Sequence, residues 1–270
     1  HKRDQSRGVC KMSDVLRILM LGDISGNAGK GALFVGLSSL VKETKADFII
    51  ANGENAADGF GIKCEDYRMF KSLGINIITS GNHIWQKDEI YETLDSSSDL
   101  LRPFNYPDAP GKGWTIVKCG SYDIAVINAE GRVNMMPLLD PFKAMEPILR
   151  EIKKKTNLIF VDFHAESAEE KEALGFYLDG RVTAVVGTHT HVQTRDEKIL
   201  PKKTAYITDL GLTGVQGAVI GSSPEKSIER QLTQLPLRSE VAEGKGTIQG
   251  VIIECDAKSG NALSIKRISY

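Results

Sequence analysis

The 270 residues contain no CxxC pair; the four cysteines, Cys10, Cys64, Cys119 and Cys255, are widely scattered. That spacing excludes a zinc ribbon and a dense disulfide framework, and makes a reducing cytoplasm the expected compartment. No apolar stretch approaches the ~20 residues of a membrane span, so a soluble chain without membrane partners is expected. Residues 1–11 are basic and polar and lack the apolar centre of a secretory signal. Met12-Ser13 reads as a native start, so residues 1–14 are expected to be an extension, of the kind an expression scar leaves, ahead of a domain over 15–270. The net charge is only −1, which gives no general attraction to nucleic acid or an anionic membrane. A polyanionic substrate must then be held locally, by a metal or a focused patch.

What is present is an alternation of strands and helices. Leu16 to Leu21 is an apolar run that stops at Gly22-Asp23, as a buried strand entering a loop would. Leu33, Leu37, Leu40 and Val41 recur at helical spacing within Gly29 to Lys45. Phe48 to Ala51 is a second buried strand and ends in Asn52-Gly53-Glu54-Asn55. Glu65 to Leu73 predicts a helix stopped by Gly74, and Ile75 to Ile78 a third strand ending at Gly81-Asn82-His83. This rhythm predicts a layered α/β fold with a largely parallel central sheet. Between Trp85 and Tyr122 the pattern loosens; Pro103, Pro107, Pro110, Gly111 and Gly113 predict a long surface loop or excursion, and a small cap on the domain is expected somewhere along the chain. Strands follow at Ile124–Ile127, Leu158–Val161 and Val182–Val186, with helices over Phe142–Lys155 and Ala168–Leu178. Gly211 to Ser223 reads as a mobile, glycine-rich stretch, able to gate a site but more simply a flexible loop. A short helix over Glu225–Leu232 and a closing hairpin of Thr247–Glu254 and Ala262–Ile268 complete the chain.

The chemistry-bearing residues fall at the strand ends. Asp23, Glu54, Asn82, His164 and His189 each lie just past a different predicted strand, and open α/β sheets bind ligands beyond the carboxyl ends of their strands. Of five histidines, all but His1 lie at these ends: His83, His164, His189 and His191. Imidazole is the commonest side-chain metal ligand. In Gly187-Thr188-His189-Thr190-His191 an extended backbone would place both rings on one side. Taken singly, Asp23 reads as a helix cap, Glu54-Asn55 and Asn82 as turn residues, and His83 and His164 as surface histidines. A shared metal site accounts for all of them at once. Nucleotide loops fail: the Walker pattern needs glycine where Ile24 stands, and Gly29-Lys30-Gly31 is followed by Phe34 where a dinucleotide loop needs glycine.

Gly22-Asp23, Gly53-Glu54-Asn55, Gly81-Asn82-His83, His164 and Gly187-Thr188-His189-Thr190-His191, in this order, resemble the calcineurin-like metallophosphoesterase superfamily. Asn52 to Ala57, Asp162 to Glu166 and Ala205 to Asp209 are similar to its bacterial YmdB-like branch, from Leu16 to the end of the chain. Ser25 and Glu54 depart from the wider superfamily's histidine and aspartate but resemble the narrower branch. The resemblance implies a metallophosphoesterase-type sandwich of β-sheets flanked by helices. It implies two divalent or mixed-valence ions (iron, manganese or zinc), one held by Asp23, Asn55 and His191, the other by Asn82, His164 and His189, with Glu54 between them. It further implies a metal-bound hydroxide as nucleophile, His83 as general acid, and 2′,3′- or 3′,5′-cyclic nucleotides as substrates. A homo-oligomer is the expected assembly. Two alternatives stay open: a phosphomonoesterase, and a regulatory partner of RNA-processing proteins with a structural metal site. Direct nucleic-acid binding is left undecided.

Overall fold

A computed structural model describes residues 14–270, so the expected N-terminal extension lies, except for Asp14, outside the described residues. The chain opens with strand β1 (Val15–Leu21), the two-residue β2 (Asp23–Ile24), helix α1 (Gly26–Thr44), β3 (Phe48–Asn52), α2 (Cys64–Ser72) and β4 (Ile77–Thr79). Two 3₁₀ turns, Asn82–Gln86 and Asp88–Ile90, lead into α3 (Tyr91–Ser96). Next come β5 (Trp114–Cys119), β6 (Tyr122–Glu130), α4 (Pro141–Lys153), β7 (Ile159–His164), α5 (Ala168–Leu178) and β8 (Ala184–Thr188). The chain closes with β9 (Lys198–Ile199), β10 (Ala205–Ile207), β11 (Leu212–Val215), α6 (Pro224–Thr233), β12 (Gly246–Thr247), β13 (Gln249–Asp256) and β14 (Ala262–Ser269).

Most of the strands form two sheets stacked face to face, the sandwich that the resemblance implies rather than the one central sheet of the strand–helix rhythm. One runs β14-β13-β1-β3-β4, the other β5-β6-β7-β8-β10-β9. β1, β3 and β4 are parallel, as are β6, β7, β8 and β10. The antiparallel pairings lie on the outer sides, β13 with β1 and β14, β5 with β6, and β9 with β10. Ile18, Met20, Phe48 and Ile50 face Val126, Phe160, Val186 and Ile207 between the sheets. The alternate residues Leu19, Leu21 and Ile49 turn outward onto Leu33, Leu37 and Leu40 of α1. On the far side Ile159, Val161 and Val185 meet Met145 and Leu149 of α4 and Leu174 and Leu178 of α5. Strands covered on both faces must be apolar throughout, which is why β1, β3 and β8 read as continuous runs rather than alternating ones.

Two stretches differ from expectation. The loose region from Trp85 to Tyr122 is not a surface loop: it holds α3 and β5 and buries Leu100, Leu101 and Asn105. Its prolines and glycines lie between these short elements and mask them. Gly211 to Ser223 begins as β11, whose Leu212 and Thr213 pair in parallel with Asp23 and Ile24 and are buried. Among the described residues no helix is long and apolar enough to cross a membrane.

Candidate metal centre

Parallel strands deliver their carboxyl ends to a common rim. Asp23 follows β1, Glu54 and Asn55 follow β3, and Asn82 and His83 follow β4; His164 ends β7 and His189 follows β8. Asp23, Glu54, Asn55 and His164 are buried. The structure brings all eight expected residues into one connected cluster. His164 Nε2 lies 3.0 Å from Asn82 Oδ1, 3.1 Å from Glu54 Oε1 and 3.0 Å from His189 Nδ1. Asn55 joins the remaining two imidazoles, with Nδ2 3.0 Å from His191 Nε2 and Oδ1 2.6 Å from His83 Nδ1. Asp23 enters through Oδ2, which accepts the backbone N–H of His189 at 3.0 Å.

The bends that make this approach possible are local. At Gly81 a Cβ would stand 2.3 Å from His164 Nε2 and 2.4 Å from Glu54 Oε2, so the chain crosses the cluster there only as glycine. The His189–His191 segment is not extended, contrary to expectation. His189 has φ 104° and His191 φ 64°, a left-handed backbone uncommon for residues with a Cβ. Strand alternation therefore does not aim these two rings; the bend does.

Each of the three inner histidines has one ring nitrogen engaged on the outside. His164 Nδ1 lies 2.9 Å from Thr188 Oγ1, whose hydroxyl donates to Asp162 Oδ1 at 2.7 Å. His189 Nε2 lies 3.0 Å from Glu166 Oε2, and His191 Nδ1 2.9 Å from the Ile220 carbonyl oxygen. An outer partner of this kind fixes tautomer and ring orientation in metal-binding histidines. His164 Nε2, His189 Nδ1 and His191 Nε2 are thereby left facing inward.

The electrostatics ask for positive charge. Asp23 Oδ1 and Glu54 Oε1 are buried without a hydrogen-bond partner, a costly state for a carboxylate. Burial pushes Asp23 up to about 6. Burial works against the charged form of His164, yet Glu54 and then Asp23 push it up to about 9. Burial also opposes ionisation of Glu54, but His164 and His83 hold it well below the usual carboxylate range. His189 is held down to about 3, by burial first and then by charge on His164. A ring kept neutral is a ring free to ligate. Ligand atoms of Glu54, His164 and His189 all lie within 4.8 Å of one another. Mixed oxygen and imidazole donors without thiolate suit first-row divalent metals such as manganese, iron or zinc, and two buried carboxylates each with an oxygen lacking a hydrogen bond fit such ions.

A cavity of about 300 Å³ opens onto the cluster, lined by Glu54, Asn55, His83, His189 and His191 on one side and by Phe60, Ile220, Arg230 and Val241 on the other. Two further charged residues are not among the expected site residues: Arg230, which lines this cavity, and Glu130, which does not. Arg230, from α6, has no ion-pair partner among the described residues. Glu130, the last residue of β6, is in register with His164 on β7 and is wholly buried, with neither carboxylate oxygen hydrogen-bonded. The strand-end rule would have found Glu130 had the strand been extended past Ile127. Nothing in the sequence pattern singles out Arg230, because its helix reaches the cavity only through the tertiary fold.

The sequence pattern of the YmdB-like protein family matches residues 19–268. Over 254 residues the chain is 47% identical to the 2′,3′-cyclic-nucleotide 2′-phosphodiesterase of Bacillus subtilis, covering 94% of this chain and 96% of that protein. A crystal structure of a hypothetical protein from Thermus thermophilus superposes with a TM-score of 0.87 at 38% identity, covering 94% of this chain and 99% of the other. That of a novel phosphatase from Mycoplasma pneumoniae gives 0.90 at 33% identity, with coverage of 96% and 94%.

Proposed function

The chain belongs to the YmdB-like protein family, and on that footing we propose that it is a metal-dependent phosphodiesterase that opens 2′,3′-cyclic nucleotides. The observation that carries this reading is the convergence of Glu54, His164 and His189 ligand atoms within 4.8 Å, at the wall of a cavity of about 300 Å³. That volume is at the lower end for small-molecule sites and suits a mononucleotide. Asp23, Asn55 and His191 would hold one metal, Asn82, His164 and His189 the other, and Glu54 both. When bound, such a pair acts as a Lewis acid on the phosphate and activates water at neutral pH.

The protein's own groups do the rest. His83 lines the cavity, and its Nδ1 is tied to Asn55 Oδ1 at 2.6 Å, which leaves Nε2 to hand a proton to the departing alkoxide oxygen. Positioned proton transfer of this kind is worth ~10²–10⁴-fold in rate. Arg230 offers the cavity a fixed positive charge for the phosphate. Segment 216–243, which supplies Ile220, Arg230 and Val241, serves as the small cap over the site.

The test is metal analysis of the purified protein together with turnover on 2′,3′-cyclic AMP, 3′,5′-cyclic AMP and the corresponding monophosphates. The expected result is at least one bound transition metal per chain and hydrolysis of the 2′,3′-cyclic substrate to the 3′-phosphate. Faster release of inorganic phosphate from the monophosphates would make it a phosphomonoesterase instead. His83→Ala should keep its metal and lose activity by ~10²-fold or more, whereas Glu54→Gln should weaken both metals together. Loss of metal from His83→Ala would make His83 a ligand rather than an acid.

A further inference from the structure

Asp209 ends one of the motifs shared with the family branch, yet it does not line the catalytic cavity. Its carboxylate is wholly buried and organises the bend that carries His189 and His191. Asp209 Oδ2 accepts the Thr190 backbone N–H at 3.1 Å and the Thr190 hydroxyl at 2.8 Å. The same oxygen accepts Lys171 Nζ, from α5, at 2.8 Å. Oδ1 accepts the Gly211 N–H at 2.9 Å. The main chain closes the other end of the bend: Thr194 N–H donates to the Asp209 carbonyl at 3.1 Å, and Asp209 N–H to Thr194 Oγ1 at 2.9 Å. Thr190 stands between two histidines that both have positive φ, so it is the point from which an unfavourable bend can be held.

The local sequence is cut to admit this pair. At Gly187 a Cβ would lie 1.7 Å from the Thr208 carbonyl oxygen and 2.9 Å from Lys171 Cδ. Only glycine lets the end of β8, the Thr208-Asp209 strand end and the Lys171 stem approach so closely. The Lys171 and Asp209 side chains are 1% and 0% exposed. A buried ion pair is poor evidence of stabilisation, because desolvation offsets the attraction. A pair kept there is better explained by what it holds in place.

We infer that Lys171 and Asp209 are positioning residues for the metal centre: through Thr190 they hold the left-handed bend that aims His189 and His191 inward, and so set its metal affinity. The inference rests on the reading of those two histidines as ligands. Losing an outer partner of a metal-binding histidine typically costs 10–100-fold in affinity.

The experiment is titration of chelator-stripped full-length protein with Mn²⁺ by calorimetry. It compares wild type, Thr190→Val, the double variant Lys171→Met with Asp209→Ala, and His191→Ala as control. The double variant removes both charges together, so neither is left buried and unpaired. It should keep a cooperative thermal transition and bind Mn²⁺ about 10–100-fold more weakly, with turnover recovering toward wild type at saturating Mn²⁺. Thr190→Val keeps the ion pair and loses one bond, so it should weaken binding ~3–10-fold. Affinity within twofold of wild type in Thr190→Val, or in a folded double variant, would overturn the inference. If the double variant does not fold, Thr190→Val alone decides. Undiminished binding by His191→Ala would instead overturn the ligand reading on which the inference stands.

Discussion

Glu130 illustrates what a single side chain can cost at this site. Burial pushes its carboxyl up to about 7, against the pull of His164. Because the folded value lies above the unfolded one, ionisation penalises the folded state. The penalty is absent below the unfolded range near ~4.5, grows as pH rises to about 7 and is constant above it. Glu130→Gln should therefore raise the melting temperature of chelator-stripped protein at pH 8 by several degrees, a gain on the order of 3 kcal/mol. At pH 4.5 the gain should vanish. An equal gain at both pH values, in paired thermal melts, would mean that packing and not charge is responsible. The same scale shows how legible the centre was. Asp23, Glu54, Asn55, Asn82, His83, His164, His189 and His191 could be picked out because each adjoins a strand end marked by an abrupt stop in an apolar run. Lys171 and Arg230 could not, since a charged residue within a helix looks solvated until the fold shows what covers it. Glu130 escapes because its predicted strand ends at Ile127 rather than at Glu130.

Among the elements, the predicted helices lie within three residues of their expected bounds. Helix α5 spans Ala168–Leu178 as predicted, and α1 starts only three residues ahead of its expected bound at Gly29. Helix α4 also carries its own start signal: Asp140 accepts from the Phe142 and Lys143 N–H groups, with Pro141 next. Its buried residues, Met145, Leu149 and Ile152, pack on the six-stranded sheet and are absent from the cavity lining. Asp140→Ala should cost about 1 kcal/mol with kcat/KM unchanged, as read by thermal melts and steady-state kinetics. A change in kcat/KM beyond twofold would show that α4 is coupled to the site. Strand β5 is the instructive miss. It joins β6 through Gly120-Ser121, with Cys119 opposite Tyr122 and Gly120 at φ 58°. A two-residue turn of this kind is a hairpin signal, but the prolines and glycines before it hid the strand.

At the scale of the whole molecule, the two ends of the described chain are joined by one strand pairing. β13 lies between β1 and β14 and pairs with β1 from Val15↔Asp256 through Leu21↔Gly250. Val251, Ile253 and Cys255 sit in the core between the sheets. A chain lacking residues 246–270 would leave the edge of β1 unpaired and remove Val251, Ile253, Cys255 and Ala262 from that core, and should yield no cooperatively folded protein. A sharp unfolding transition from such a truncation, followed by circular dichroism, would refute that dependence.

The sequence by itself determined the alternation of strands and helices and the donor residues at the strand ends, because both depend on period and on the residues that interrupt it. It also carried the family resemblance, which lies in short motifs. Only the tertiary structure decided which strands are neighbours within each sheet, since apolar runs do not record their partners. Only the structure revealed the left-handed bend at His189 and His191, because that backbone is held by Asp209 and Lys171, contacts between residues distant along the chain. The cavity wall from segment 216–243 is of the same kind. Its residues acquire a role through what stands opposite them.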